Sequence, residues 1–421
     1  MGGLRFLPVW LVAGFAVGLG AAVGVALAST VPAPGAATPA PAPVGATPAP
    51  SLPDVTDADD VACDGASLEE RAGQVLVVGL PGVTAPDDPL VDEVARLGVG
   101  GVLITKTNVE SEWQVRALVR SLRRASDRAL LVTTDEEPGR VSSFGAVLGR
   151  TSSARTLAAR GEPQDVRDFA RDLGRQLSSF GVDADLAPVV DIDDGPAGGI
   201  IGDRSFSGDQ DTVTAYGLAF SEGLAAAGVL PTAKHFPGHG RSHEDTHISG
   251  GHVDVPLEAL RAEDLLPFIA QIQAGVPLVM VNHVAFSALD PALPASLASP
   301  TYELLRELGF EGVAMTDSVG MGAIHQTWDF HTSVVMAIRA GADAVLATDG
   351  NVAGVMRDAL VAAVRNGELD EDRLDEAAAR MLALKGEDPE PIVCRDVAPI
   401  PVMDLSQQVP RSVERDRSVL R

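Results

Sequence analysis

The sequence predicts an α/β protein with a TIM-type (β/α)8 barrel as its single folded domain. Two observations support this prediction. Short Val-, Ile- and Leu-rich segments alternate with longer amphipathic segments, and the alternation occurs eight times in about 310 residues. Hydrophobic residues make up 46% of the chain, which is enough for a large core. A doubly wound open sheet would show a similar alternation, but no glycine-rich phosphate loop follows the first predicted strand, and this favours the barrel.

The eight predicted strands are QVLVVGL (74–80), GVLIT (101–105), ALLVTTD (129–135), ADLAPVVD (184–191), LPTAKHF (230–236), LVMVNHV (278–284), GVAMTD (312–317) and ADAVLAT (342–348). Segments 111–126 and 257–275 are predicted helices, and 351–386 forms one or two closing helices. Active sites of such barrels lie at the carboxyl ends of the strands. We therefore expect the polar groups that end strands three, five, six and seven to meet at one mouth: Asp135, Lys234, His235, Asn282, His283 and Asp317.

The first 31 residues (1–31) have the features of a signal peptide or an N-terminal membrane anchor. Arg5 precedes an almost unbroken apolar run from Phe6 to Ala28. Residues 32–62 form a Pro/Ala-rich linker, residues 63–396 the barrel and residues 397–421 a C-terminal tail. Both interpretations of the first segment place the barrel outside the cytoplasm, secreted or anchored to the membrane.

The two cysteines, Cys63 and Cys394, lie near the two ends of the predicted barrel. In an oxidising compartment, a disulfide between them is the expected arrangement, and lipidation of Cys63 is the alternative. The formal net charge of −26 argues against nucleic acid as a partner and against adhesion to anionic lipid headgroups, so we expect neither.

One segment, AKHFPGHGRSHEDTH (233–247), concentrates the titratable groups of the chain. It holds four of the eight histidines and one of only three lysines. Four-residue steps between histidines would suit a metal site on a helix, but Pro237, Gly238 and Gly240 make a continuous helix unfavourable. We therefore expect no metal or other cofactor, and the alternative is a metal-dependent hydrolase that uses His235, His239, His243 and Asp245.

Five sequence blocks resemble, in order, motifs of the bacterial β-N-acetylglucosaminidases of glycoside hydrolase family 3. The blocks are DEEPGRV (135–141), GVDADLAPVVDI (181–192), IIGDRSF (200–206), KHFPGHGRSHEDTH (234–247) and GFEGVAMTDSVGMGAI (309–324). The resemblance covers residues 68–386, and the fourth block is the most specific.

The resemblance implies three catalytic residues. Asp317 is the nucleophile, His247 the general acid/base, and Asp245 the carboxylate that orients and stabilises the imidazole. Four further residues are implied as contacts to the sugar, and these are Asp135, Arg204, Lys234 and His235.

The chain departs from the family pattern at three positions. Pro138 replaces a glycine, Ser143 stands where many members have a sugar-binding arginine, and Lys106 stands where an arginine is common. The second departure removes one expected donor to the substrate. Arg140 is expected to pair with a carboxylate beneath the loop.

The function implied by the resemblance is a retaining β-N-acetylhexosaminidase. It would release terminal β-linked GlcNAc from peptidoglycan-derived fragments, as a monomer facing the cell wall. Three alternatives stay open: a glycosidase for another β-glycoside, a phosphorylase, and a catalytically inactive, tethered glycan-binding barrel. The intact Asp317 and His247 argue against the last of these.

Overall fold

The computed structural model describes residues 65–242, 244–395 and 397–403. Its strands are β1 (Leu76–Gly79), β2 (Gly101–Ile104), β3 (Leu131–Thr134), β4 (Ala184–Asp185), β5 (Leu230–Phe236), β6 (Gly251–Val253), β7 (Leu278–Val281), β8 (Val284–Phe286), β9 (Asp290–Pro294), β10 (Val313–Thr316) and β11 (Val345–Ala347).

The helices alternate with these strands along most of the chain. They are α1 (Leu68–Gln74), α2 (Pro89–Arg96), α3 (Glu112–Ala125), α4 (Gly145–Leu148), α5 (Ala154–Arg160), α6 (Pro163–Phe180), α7 (Gln210–Ala226), α8 (Leu257–Ala262), α9 (Leu266–Gln273), α10 (Ser299–Glu307), α11 (Gly322–His325), α12 (Phe330–Ala340), α13 (Ala353–Arg365), α14 (Glu371–Leu384) and α15 (Glu390–Val393).

Eight parallel strands form one sheet in the order β10-β7-β5-β4-β3-β2-β1-β11. The sheet closes between its two edge strands, where Met315 bridges Ala344 in parallel and the Thr316 N–H donates to the Ala344 carbonyl at 3.0 Å. The predicted (β/α)8 barrel is therefore confirmed.

A buried carboxylate sits at this closure. Asp343 is fully buried and accepts from the Ala314 N–H at 2.9 Å and from three arginines, Arg306 (2.5 Å), Arg373 (2.8 Å) and Arg380 (3.1 Å). Burial by itself would raise the pKa of the Asp343 carboxyl, but the three guanidinium charges lower it below its ordinary value. The ionised carboxylate thus ties β10 to the helices that support it.

Strand alternation divides the core into two layers. Residues on one face, such as Val77, Leu103, Leu131 and Met280, fill the barrel interior, and residues on the other face pack under the surrounding helices. Each fully buried Val or Leu side chain contributes about 1.5–3 kcal/mol to folding. Leu103, Met280 and Leu346 end the interior packing at the carboxyl side and form the floor of the cavity described below.

Two predicted elements differ from the structure. β4 ends at Asp185 rather than extending to residue 191, because Pro188 has no amide to donate and only an isolated bridge joins Val189 to Lys234. The helix predicted over 257–275 is two helices, α8 and α9, separated near Asp264, whose side chain accepts from Arg241 Nε at 2.7 and 2.9 Å.

The structure also contains a three-stranded sheet, β6-β8-β9, that the sequence patterns did not predict. Its strands are short, and β6 pairs with β8 in parallel from Gly251 to Val253. This sheet fixes the end of the loop that follows β5.

The N-terminal end of the described chain lies against its C-terminal part. The Ala66 N–H donates to the Ile392 carbonyl at 2.9 Å, two residues from Cys394. Cys63 lies outside the described residues, so its disulfide with Cys394 stays a prediction. The proposed signal or anchor segment, 1–31, and the linker also lie outside them. No helix among the described residues is long and apolar enough to cross a membrane.

Candidate active site

A cavity of about 290 Å³ opens at the carboxyl end of the barrel. Six of the seven residues predicted for the site line it: Asp135, Arg204, Lys234, His235, His247 and Asp317. The seventh, Asp245, lies behind His247 and contacts its ring. Residues from β3, β5, β10 and two loops therefore meet at one mouth.

Asn282 and His283 were also expected at this mouth, but neither lines the cavity. The Asn282 side chain donates to the His235 carbonyl at 3.0 Å and accepts from the Val284 N–H at 2.9 Å. His283 lies between Ser296 Oγ (2.7 Å from Nδ1) and the Ser318 carbonyl (2.9 Å from Nε2). Because a carbonyl only accepts, Nε2 carries the proton, and both residues serve to hold the neighbouring backbone.

Asp317 follows β10 directly and is held by hydrogen bonds to the backbone of β7 and of the next residue. Its N–H donates to the Val281 carbonyl at 2.8 Å, and its Oδ1 accepts from the Ser318 N–H at 2.7 Å. Burial opposes ionisation, but the nearby His283 and His235 and the Ser318 N–H together lower the pKa of the Asp317 carboxyl. The carboxylate is therefore ionised near neutral pH, as a nucleophile requires.

His247 and Asp245 form a hydrogen-bonded pair on the loop between β5 and β6. Asp245 Oδ1 lies 2.9 Å from His247 Nδ1 and accepts from the His247 N–H at 3.0 Å. Because the carboxylate accepts a hydrogen bond from Nδ1–H, Nε2 is left for proton exchange with a substrate. Slight burial raises the pKa of the Asp245 carboxyl, but the hydrogen bonds from His247 outweigh it and lower the pKa.

Two glycines and one arginine determine the path of the first part of this loop. A Cβ on Gly240 would lie 1.9 Å from the Ile192 carbonyl oxygen, so only glycine fits there. Gly238 turns the chain with a φ of +119°. Arg241 then pairs with Asp264, as described above, and anchors the loop to the start of α9. Further along the loop, Thr246 and His247 line the cavity.

A buried charge cluster lies on the opposite side of the cavity. Lys234 Nζ lies 2.6 Å from both Asp135 Oδ1 and Glu137 Oε1. Arg204 donates through Nε and Nη2 to the two Glu137 oxygens, each at 2.7 Å. Burial would raise the pKa of the Glu137 carboxyl, but the charges of Arg204 and Lys234 lower it well below its ordinary value. Glu137 thus holds both cations that line the cavity.

Sequence reasoning missed Glu137, although it belongs to the DEEPGRV block. It also missed Asp191, which accepts from the His235 and His239 N–H groups at 3.2 and 2.7 Å and lies 2.6 Å from His235 Nδ1. Arg204 Nη2 lies 3.3 Å from His235 Nε2, which accepts because a guanidinium only donates. Acidic residues within the family-like blocks were the available signal for both positions.

The structure shows the surroundings of two positions that depart from the family pattern, Ser143 and Lys106, and of Arg140. Ser143 is buried and donates to the Asp135 carbonyl at 2.9 Å, so it supports the loop and does not line the cavity. Lys106 is exposed and is not part of the lining. Arg140 pairs with Asp203 at 3.1 Å, as predicted, and donates to the carbonyls of residues 199–201.

Two of the histidines considered for a metal site, His235 and His239, are engaged in other contacts. His235 bonds Asp191, and His239 Nε2 lies 3.3 Å from Thr246 Oγ1. Within the described ranges, which omit His243, no group of three or more His, Cys, Asp or Glu residues is arranged to hold a metal ion.

Comparison with known proteins identifies the family of this chain. Residues 67–384 match the Glycosyl hydrolase family 3 N terminal domain. The chain is 38% identical over 331 residues to the beta-hexosaminidase LpqI of Mycobacterium tuberculosis, covering 77% of this chain and 84% of LpqI. It is 36% identical over 282 residues to a beta-hexosaminidase of Xylella fastidiosa, covering 65% and 82%.

Solved structures give the same result. A family 3 glycosyl hydrolase from Mycobacterium smegmatis matches with a TM-score of 0.72 at 37% identity, covering 77% of this chain and 98% of that one. A family 3 β-N-acetylglucosaminidase from Paenibacillus matches with a TM-score of 0.72 at 33% identity, covering 79% and 64%. The barrel and its mouth are thus those of a glycoside hydrolase. The chain belongs to glycoside hydrolase family 3.

Proposed function

We propose that this glycoside hydrolase is a retaining β-N-acetylhexosaminidase that removes terminal β-linked GlcNAc. One observation carries the proposal. The Asp317 carboxylate and the ring of His247, itself bonded to Asp245, line one cavity together with the buried Lys234–Arg204 cluster. A nucleophile, a proton donor and sugar-binding donors in one cavity are the groups that retaining hydrolysis needs.

In the first step, Asp317 attacks the anomeric carbon while His247 Nε2 gives its proton to the leaving oxygen. The C–O bond to the leaving group breaks and a covalent glycosyl-enzyme forms. In the second step, a water molecule attacks the anomeric carbon, His247 takes its proton, and Asp317 is released. Two displacements at one carbon retain the β configuration.

Asp245 supports both steps through its charge. Its lowered pKa keeps it ionised, so it stabilises the imidazolium form of His247, and its contact with Nδ1 fixes the ring. The pair is partly exposed, with 69% of the His247 side chain and 41% of the Asp245 side chain accessible, so water screens part of this effect.

The size and charge of the cavity favour a single terminal sugar. A volume of about 290 Å³ is at the small end of the range for ligand pockets. Asp135 accepts from sugar hydroxyls, and Lys234 and Arg204 donate to hydroxyls and to the N-acetyl carbonyl. The leaving part of the substrate then extends past the exposed His247 into solvent.

We further propose that the substrates are peptidoglycan-derived fragments such as GlcNAc–MurNAc, met outside the cytoplasm. Support comes from the name beta-hexosaminidase carried by the Mycobacterium tuberculosis and Xylella fastidiosa relatives and from the apolar run Phe6–Ala28. Anchoring by residues 1–31 and a monomeric state belong to the same proposal.

The first test is release of nitrophenol from the aryl β-N-acetylglucosaminide and from the matching β-glucoside. The wild type, Asp317→Ala and His247→Ala are compared, with Asp358→Asn as a control because Asp358 is a surface residue of α13. We expect activity only on the N-acetyl sugar, its loss in Asp317→Ala and a sharp fall in His247→Ala. NMR of the first-formed anomer and mass spectrometry of an enzyme trapped with a fluorosugar test retention and the Asp317 adduct.

Other outcomes would select the alternatives. Preference for the β-glucoside would refute the hexosaminidase assignment. Formation of a sugar phosphate when phosphate is added would indicate a phosphorylase. A folded wild-type protein that binds GlcNAc without cleaving any of these substrates, GlcNAc–MurNAc included, would indicate a glycan-binding barrel.

A further inference from the structure

The loop that carries His247 rests on the start of helix α11. The Gly322 N–H donates to the His247 carbonyl and the Ala323 N–H to the Thr246 carbonyl, each at 3.0 Å. The Gln326 side-chain amide donates to the Ile248 carbonyl. Three consecutive loop carbonyls are therefore bound by one turn of helix, and two of the donors are N–H groups that a helix start leaves without an intrahelical partner.

The contact requires glycine at position 322. A Cβ there would lie 2.3 Å from the Ile248 carbonyl oxygen, 2.6 Å from its carbon and 2.8 Å from the His247 carbonyl oxygen. These neighbours are backbone atoms, which have no rotamer to change. Any side chain at Gly322 must therefore displace the loop or the helix start.

The same short segment also carries the nucleophile. Between Asp317 and Gly322 the chain runs along the cavity wall, to which Ser318, Gly320 and Met321 contribute. The Met321 N–H donates to the Ser318 carbonyl at 3.0 Å, which closes this segment into a turn. One rigid turn thus links the attacking carboxylate to the surface on which the proton donor rests.

Few other contacts determine where His247 lies. The Ile248 and Ser249 N–H groups donate to the Asp245 carbonyl at 2.9 and 3.0 Å, but these bonds lie within the loop and do not place it. Thr246 contacts His239, which lies earlier in the same loop, as described above. The side chain of His247 is mostly exposed, so packing contributes little to its position.

We propose that Gly322 and Gln326 are positioning residues for the acid/base: they dock the loop so that His247 Nε2 faces the leaving oxygen while Asp317 faces the anomeric carbon. This inference rests on the proposed roles of His247 and Asp317. Neither Gly322 nor Gln326 touches the sugar in this arrangement. Their replacement impairs proton donation and leaves nucleophilic attack intact.

Leaving-group dependence separates these two effects. Dinitrophenolate leaves without a proton, whereas the sugar alkoxide released from GlcNAc–GlcNAc needs one. For Gly322→Ala we expect kcat/KM on the disaccharide to fall roughly 100-fold, the effect of about 1 Å of misplacement. On the dinitrophenyl β-N-acetylglucosaminide, kcat/KM stays within about threefold, and Gln326→Ala, which removes one hydrogen bond, lowers the disaccharide value about fivefold.

The matched control is Gly354→Ala. Gly354 lies in α13, and an added Cβ would come no closer than 3.9 Å to any atom outside its own helix, so both substrates should be cleaved at wild-type rates. Equal losses on both substrates in Gly322→Ala would overturn the proposal, because they would indicate damage to Asp317 or to folding. Wild-type rates on the disaccharide in Gly322→Ala would overturn it as well.

A second measurement examines docking without turnover. Hydrogen exchange at the Gly322 and Ala323 amides should be faster in Gln326→Ala than in the wild type, because the loop that accepts their bonds is released more often. Unchanged exchange would overturn the docking role. A wild type that is inactive on both substrates would contradict the proposed function, and the exchange result would then still decide whether the loop docks.

Discussion

Glu137 offers a strict test of the charge cluster that lines one side of the cavity. Its carboxylate is 1% exposed and accepts two hydrogen bonds from Arg204 at 2.7 Å, and it lies 2.6 Å from Lys234 Nζ. Replacement by glutamine keeps the volume of the side chain, so no cavity forms. It removes the negative charge and turns an amide NH2 towards groups that are donors themselves.

Removal of one partner from a buried ion pair costs about 3–5 kcal/mol. Arg204 keeps 10% of its side chain exposed at the mouth, and Asp135 still neutralises part of the Lys234 charge. Both facts place the expected loss of stability at the lower end of this range. We expect Glu137→Gln to lower the free energy of unfolding by about 3 kcal/mol at pH 7.

The effect depends on pH with a defined sign. The pKa of Glu137 in the folded protein lies below its ordinary value of 4.5, so its stabilisation is complete above pH 4.5 and is lost as the pH falls towards the folded value. The difference between the wild type and Glu137→Gln should therefore be largest near neutral pH and decrease below 4.5.

Urea unfolding followed by tryptophan fluorescence measures the stability difference, and calorimetry with GlcNAc measures sugar binding. The matched control is Asp203→Asn, which loses a partly exposed pair with Arg140 and should change stability by at most about 1 kcal/mol. Equal stability of Glu137→Gln and the wild type, together with unchanged GlcNAc affinity, would refute this account of the cluster.

Three further predictions concern the acid/base pair, the barrel closure and metal dependence. Asp245→Asn keeps a hydrogen-bonding group but loses the charge that stabilises the His247 imidazolium, so kcat/KM on GlcNAc–GlcNAc should fall about 10- to 100-fold; an unchanged rate would contradict the pairing. Asp343→Asn should lower the free energy of unfolding by about 3 kcal/mol at pH 7 in urea titrations. Because the pKa of Asp343 is lowered, this difference should shrink below pH 3.8, and a constant difference would count against it. EDTA should leave the rate on aryl substrates unchanged, because His235 and His239 are held by Asp191 and Thr246, and a loss reversed by added metal would refute this expectation.

The sequence predicted the strands best where the signal is local. β5 was predicted over the residues it occupies, Leu230–Phe236, as one of the short segments that alternate with longer amphipathic ones along the chain. The second half of the predicted strand 184–191 was lost because strand pairing depends on a donor that Pro188 lacks. The single helix predicted over 257–275 was wrong because Pro267, in the first turn of α9, has no N–H to donate to a preceding helical turn.

For the candidate site as well, the sequence revealed the residues with local motifs and missed those defined by distant contacts. Local motifs pointed to Asp317 and His247, because their neighbours in the sequence resemble a known pattern. Glu137 was not found, since its partner Arg204 lies 67 residues away and nothing near Glu137 indicates a pair of cations. The position of Ser143 was visible in the sequence, but not its burial beneath Asp135.

The sequence by itself determined the order of strands and helices, the polar groups at the strand ends and the resemblance to family 3. These properties depend on periodicity and on short motifs, which operate over a few residues. Only the tertiary structure decided that Glu137 fixes Lys234 and Arg204, and that Gln326 holds the loop at Ile248, 78 residues earlier in the chain. Such contacts form because barrel closure brings distant strand ends to one mouth, where charges must be paired and backbone groups bonded.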